Sequence, residues 1–107
     1  MSKVYVFLAD GFETVEALAP VDVMRRAGID VVTVSIMDTP SVVSAQGVTV
    51  IADVMFGAAT FGAASALVLP GGGTGTENLS AHAALCAELE TADSKCILVA
   101  AICAAPM

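Results

Sequence analysis

Four short apolar runs constrain this chain more than any other feature. Residues 3–9 are β-branched, aromatic and apolar, 29–36 are rich in valine, and 65–69 and 96–102 are apolar almost throughout. A strand with one wet face alternates apolar and polar residues, whereas a strand covered on both faces is continuously hydrophobic. Runs of the second kind, joined by helical connections, imply an α/β fold: a parallel sheet with helices on both faces. In such sheets ligands bind beyond the carboxyl ends of the strands. The turns that follow the runs are therefore where chemistry is expected.

The first run ends at Asp10-Gly11, a turn signal. Asp10 with Glu13 matches a helix-start capping pattern, and a helix over about 13–27 follows, with Val15, Leu18, Ala19, Val23 and Ala27 on one side. Pro20 lies inside it and leaves the Glu16 carbonyl without its usual N–H partner. The first turn, carrying Glu13 and Glu16, is expected to be distorted or set apart from 21–27. Gly28 suits the helix C-terminus. Residues 37–45 read as a loop, 47–52 alternate like a hairpin or edge strand, and 56–64, rich in Ala and Gly, read as a weak helix. Pro70 stops the third run and opens a glycine-rich turn, Gly71-Gly72-Gly73-Thr74-Gly75. A helix over about 82–91 then leads to the last strand.

Three features fall at one rim: the Asp10-to-Glu16 turn, the glycine turn, and Cys103 just past the last strand. Cys103 is flanked by Ala101, Ile102, Ala104 and Ala105 and followed by Pro106. A buried structural cysteine is the plain alternative, because free cysteine is among the most buried residue types. Strand-end placement among small neighbours instead suits a strained strand-to-helix turn that displays a nucleophile. The N–H groups and dipole of a following helix would favour the thiolate there. Glu13 reads as an acidic residue complementing a helix dipole. Glu16, followed by Ala17-Leu18-Ala19-Pro20, reads as partly buried, able to donate a hydrogen bond to a thiolate and to move a proton during attack on a carbonyl. The glycine turn has neither a Walker lysine nor a complete G-x-G-x-x-G, so a nucleotide cradle is not expected. N–H groups forming an oxyanion hole fit it better, although a tight turn alone explains some of its glycines. His82 begins a polar-faced helix and is not read as catalytic; Cys86 and Cys96 read as core or helix-face residues.

Composition narrows the classes. The chain of 107 residues is 57% hydrophobic and only 14% charged, which suits one domain with one core and excludes a disordered, solvated chain. No apolar stretch reaches the ~18–20 residues that span a bilayer, and the first run, cut off by Asp10, reads as a strand rather than a signal peptide. With a net charge of −7 and no basic cluster beyond Arg25-Arg26, neither nucleic acid nor a membrane is an expected partner. Three cysteines without CxxC spacing argue for reduced thiols, a cytoplasmic location and no structural metal.

Several longer stretches, ordered along the chain, resemble a known family. They are Leu8-Ala9-Asp10-Gly11-Phe12-Glu13-Thr14-Val15-Glu16, Pro20-Val21-Asp22-Val23-Met24-Arg25-Arg26-Ala27-Gly28-Ile29, Val68-Leu69-Pro70-Gly71-Gly72, and Ala100-Ala101-Ile102-Cys103-Ala104-Ala105-Pro106. Together they resemble the ThiJ/PfpI superfamily, and within it the DJ-one branch. The resemblance implies a flavodoxin-like three-layer sandwich around a parallel sheet, a homodimer, and a nucleophile-elbow cysteine that oxidises readily. Carried over by position, Cys103 is that cysteine, Glu16 is the carboxyl hydrogen-bonded to it, and Gly72 and Ala104 supply N–H groups to the oxyanion site. Protease-like members carry histidine directly after the cysteine; Ala104 stands there, which argues against peptidase activity. The implied chemistry is glyoxalase-like or deglycase-like, on a small aldehyde or glycated substrate and without a cofactor. A redox-sensing, chaperone-like protein is the alternative. Family members are nearly twice as long, and the branch's pocket histidine follows the cysteine by about twenty residues, a separation that sequence spacing alone cannot assign. Residues 1–107 are thus expected to be a single domain incomplete at the C-terminus, a fragment of a longer polypeptide with a possible companion chain completing it.

Overall fold

The computed structural model describes residues 3–59, 61, 64–94 and 98–101. Five strands form one parallel sheet: β1 (Lys3–Leu8), β2 (Asp30–Ser35), β5 (Val54–Met55), β6 (Ala66–Leu69) and β7 (Leu98–Ala101), in the spatial order β5-β2-β1-β6-β7. β3 (Ser41–Val43) and β4 (Thr49–Ile51) form a separate antiparallel hairpin. Helices α1 (Thr14–Arg26), α2 (Gly73–Ala81) and α3 (Ala83–Ser94) complete the described elements.

The alternation within β1 divides the core in two. Val4, Val6 and Leu8 join Ala66 and Val68 of β6 against Ala17 and Val21 of α1 and Val42 of the hairpin. Tyr5, Phe7 and Ala9 point the other way, with Leu67 and Leu69, against Leu79 of α2 and Leu85 of α3. Successive side chains in a strand face opposite sides, so a strand apolar at every position needs cover on both. The result is the three-layer α/β sandwich that the continuous runs imply. Phe61 fills the second core, its ring edge-on to Tyr5 at 4.9 Å and 5.3 Å from the rings of both Phe7 and Phe56.

Several local expectations change. α1 is a single helix through Pro20, with Glu16 inside it and Glu13 as its N-cap, the Glu13 carboxylate accepting the Val15 N–H. Pro20 removes one intrahelical hydrogen bond, and the packing of Ala17 and Val21 on either side of it holds the helix together. Asp10 is not the cap; its carboxylate accepts the Val43 N–H of the hairpin. The buried face of α1 carries Ala17 and Val21, with Met24 partly buried, whereas Val15 and Val23 are 67% and 63% exposed. The small Ala17 lets the helix lie close on the sheet, a criterion that counting larger aliphatics misses. Among the described residues of the 56–64 stretch there is one 3₁₀ turn, Phe56–Ala58. Most unexpectedly, the glycine-rich segment starts a helix: α2 begins at Gly73 and ends just before His82, which heads α3 as expected.

Polar groups buried within these layers are satisfied. Ser35, fully buried, donates to the Thr39 carbonyl at 2.7 Å and accepts the Met37 N–H at 3.1 Å. Thr33 accepts the Asp53 N–H at 2.9 Å and returns both its own N–H and its hydroxyl to the Asp53 carboxylate, at 2.9 and 3.0 Å. Arg25 donates to the same carboxylate at 2.6 Å and to the Val31 carbonyl at 2.8 Å. Burial pushes the Asp53 pKa upward, but the Thr33 N–H and hydroxyl and the Arg25 guanidinium outweigh it and hold the carboxyl below its ordinary value.

Candidate functional site

The carboxyl ends of β1 and β6 are neighbours, and their two turns interlock. Gly11, with φ +88°, turns the chain after β1, and Phe12 drops into the α1-side core with 1% exposure. Gly72, with φ +108°, is the N-cap of α2. A Cβ at Gly72 would lie 2.5 Å from the Gly11 carbonyl oxygen and 2.9 Å from the Glu13 nitrogen. One at Gly75 would lie 2.8 Å from the Phe12 backbone, and one at Gly11 would meet the Thr74 Cβ at 2.6 Å. Three glycines are thus required by contact between segments some sixty residues apart. That contact is why a helix starts in a sequence so poor in helix formers: only glycine lets the two backbones approach this closely.

Hydrogen bonds run across the same seam. The Glu13 N–H donates to the Gly71 carbonyl at 2.9 Å, and the Gly75 N–H to the Gly11 carbonyl at 3.3 Å. The Gly71 N–H donates to Glu16 Oε1 at 3.1 Å, fixing a half-buried carboxyl group at the rim. Asn78 of α2 donates from Nδ2 to the Asp10 carbonyl at 2.8 Å. Of the residues singled out in the sequence, Glu16 and the Gly71-Gly72 turn are therefore brought together. Among the described residues no acceptor takes the Gly72 N–H. Cys103 and Ala104 lie outside the described residues, as does Cys96. β7 leads toward the same rim, with Leu69 of β6 in register with Ala101.

The hairpin closes the outer side of the β1–α1 turn. The Gly11 N–H donates to the Val43 carbonyl at 2.8 Å and the Ala45 N–H to the Phe12 carbonyl at 2.8 Å. Thr14 Oγ1 lies 2.6 Å from Ser44 Oγ and 2.7 Å from Gln46 Oε1, and Gln46 Nε2 donates to Glu13 at 2.9 Å. His82 stands apart: its Nδ1 accepts the Leu85 N–H at 3.0 Å at the start of α3, and its ring packs edge-on to Phe56. Cys86 is half-buried on α3. Among the described residues no three His, Cys, Asp or Glu side chains gather as a metal site, and no helix is long and apolar enough to cross a membrane.

The residue that the sequence reading passes over is Asn78; Gly11 and Gly75 enter it as parts of their turns, without the contact that joins them. No local signal marks Asn78, because the segment that carries it does not read as a helix; its side-chain contact is set by the fold.

This arrangement has close counterparts. The profile of the DJ-1/PfpI family matches residues 2–107. The chain belongs to that family. Parkinson disease protein 7 homolog of Danio rerio is 37% identical over 105 residues, covering 97% of this chain and 56% of its own length. Protein DJ-1 homolog B of Arabidopsis thaliana is 35% identical, over 97% of this chain and 24% of its own. Among solved structures, oxidized Toxoplasma gondii DJ-1 superposes with a TM-score of 0.95 at 40% identity, covering 99% of this chain and 58% of its own. A DJ-1 superfamily protein from Salmonella typhimurium, solved as a cysteine-to-alanine mutant, superposes with a TM-score of 0.94 at 37% identity, over 98% of this chain and 57% of its own. The chain therefore has the DJ-1/PfpI fold and spans little more than half the length of these solved relatives.

Proposed function

We propose that the protein is a cysteine-dependent enzyme acting on small reactive carbonyls, with Cys103 as nucleophile. The observation that carries this reading is the seam at the rim. A half-buried carboxyl group, Glu16, is bonded to the N–H beside Gly72, next to the strand that precedes Cys103 in sequence. In the reaction we envisage, the Cys103 thiolate attacks the aldehyde carbon of a compound such as methylglyoxal. A C–S bond forms, the carbonyl π bond opens, and the electron pair moves to oxygen. The N–H groups of Gly72 and Ala104 stabilise that oxyanion. Glu16 supplies the proton that completes the hemithioacetal and moves protons in the steps that follow. Conversion of methylglyoxal and water to lactate oxidises one carbon while reducing its neighbour, so the balance needs no external oxidant or cofactor.

The test is methylglyoxal turnover by the wild type and by Cys103→Ala, followed as lactate formed. Loss of turnover in the variant is expected; equal rates would overturn the enzyme reading. A second reading, a redox-sensing protein whose cysteine is oxidised instead of turning over substrate, is favoured by the oxidized form of the Toxoplasma relative. Peroxide treatment with peptide mass analysis tests it, since it requires Cys103 to oxidise ahead of Cys86 and Cys96.

A further inference from the structure

We infer that Asn78 is a positioning residue that sets where the Glu16 carboxyl sits. The inference rests on the role proposed above for Glu16 in the reaction of Cys103. Among the described residues, four hydrogen bonds are seen to cross the seam between the β1–α1 and β6–α2 turns. Two are backbone to backbone, and Glu16 and Asn78 provide the side chains of the others. Asn78 acts on one peptide unit. Its Nδ2 holds the Asp10 carbonyl at 2.8 Å, while the N–H of the same peptide, that of Gly11, is held by the Val43 carbonyl at 2.8 Å. The Asp10–Gly11 peptide is thereby pinned between α2 and the hairpin, and the Asp10 carboxylate takes the Val43 N–H as well.

From this pinned peptide the chain runs through the buried Phe12 to Glu13, whose N–H meets Gly71, and one helical turn later to Glu16. Removing the Asn78 amide leaves a part-buried carbonyl without that donor. The peptide is then free to turn toward water, an unpaired buried carbonyl being costly. Any such rotation shifts the start of α1 against the Gly71-Gly72 turn. Asn78 is the sixth of the nine residues of α2, where asparagine is a poor choice for helix formation, and its side chain spans 68 positions of sequence instead of bonding within its own helix.

The experiment measures the pH dependence of Cys103 alkylation by iodoacetamide, read peptide by peptide in a mass spectrometer so that Cys86 and Cys96 do not interfere. It compares wild type, Glu16→Ala, Asn78→Ala, Asn78→Asp and the double variant Glu16→Ala/Asn78→Asp, with thermal unfolding recorded for each. Loss of a donor to the thiolate raises the thiol midpoint, so Glu16→Ala is expected to shift it upward by about one pH unit. Both Asn78 variants are expected to shift it in the same direction by about half as much, and Asn78→Asp to add nothing in the Glu16→Ala background. A residual shift in the double variant would mean that the new charge acts on the thiol directly, and would overturn the inference. A lowered unfolding temperature with an unmoved midpoint, or failure of both single Asn78 variants to fold, would make Asn78 purely structural and overturn it too. An unmoved midpoint in Glu16→Ala would instead remove the Glu16 role itself, a failure of the proposed function visible without the Asn78 variants.

Discussion

Gly28 and Gly72 share a backbone conformation and differ in everything around it. Gly28, with φ +83°, follows the last turn of α1; its N–H returns to the Arg25 carbonyl, the Ile29 N–H reaches Met24, and a Cβ there would meet nothing within 4 Å. Gly72, with φ +108°, faces the backbone of Gly11 and Glu13 at distances no Cβ can tolerate. At the far end of α1 glycine answers to the chain's own local geometry, the usual way of ending a helix. At the rim it answers to a segment sixty residues away. The seam that holds Glu16 is therefore a tertiary object, and it cannot be moved without disturbing both turns.

Gly72→Ala is the harshest way to break this comparison. It combines a positive φ with a collision against main chain, and should cost about 3–5 kcal/mol in denaturant unfolding. Gly75→Ala isolates the collision, because Gly75 is helical. Ala in a helix would otherwise gain about 1 kcal/mol over Gly, so a net loss of about 2 kcal/mol would show that close approach to Phe12 dominates; a gain would disprove the tight seam.

Asp53→Ala tests a knot made of side-chain contacts instead. The carboxylate is half-exposed and solvent screens its ion pair, so the loss at neutral pH should be about 1–1.5 kcal/mol, chiefly from hydrogen bonds to Thr33. Because the folded-state pKa lies below the unfolded one, the contribution is complete above the unfolded value and fades as pH falls. The difference between wild type and variant should therefore shrink below about pH 4. Gly28→Ala is the mildest change, costing about 1 kcal/mol from φ alone. Equal losses at Gly28 and Gly72 would erase the contrast between the end of α1 and the seam at the rim.

Much of the fold was legible because burial on both faces leaves a mark on every residue of a strand. The runs at 3–9 and 65–69 needed no further information to be read as buried strands of a parallel sheet, and they form β1 and β6; their central place in the strand order came from the structure. Glu16 was legible as a half-buried rim carboxyl from the apolar residues that follow it. The buried face of α1 was not, because Val15 and Val23 outrank Ala17 in hydrophobicity, while the sheet selects for the smallest side chain at closest approach. Nor was α2: its first residues carry every local sign of a loop, and the helix is set by packing against Phe12 and Leu79's burial in the opposite core.

By itself, then, the sequence determined a two-sided parallel sheet, the rim where its turns meet, and the family whose motifs lie along it. Only the tertiary structure decided that Gly71 carries the Glu16 carboxyl group, that Gly11, Gly72 and Gly75 are mutually required, and that Asn78 reaches Asp10. The reason is one of range. Strand burial and helix termination are governed by neighbours along the chain and by simple alternation, which a sequence displays directly. Contact between two backbones depends on the distance between segments that only the folded sheet brings side by side.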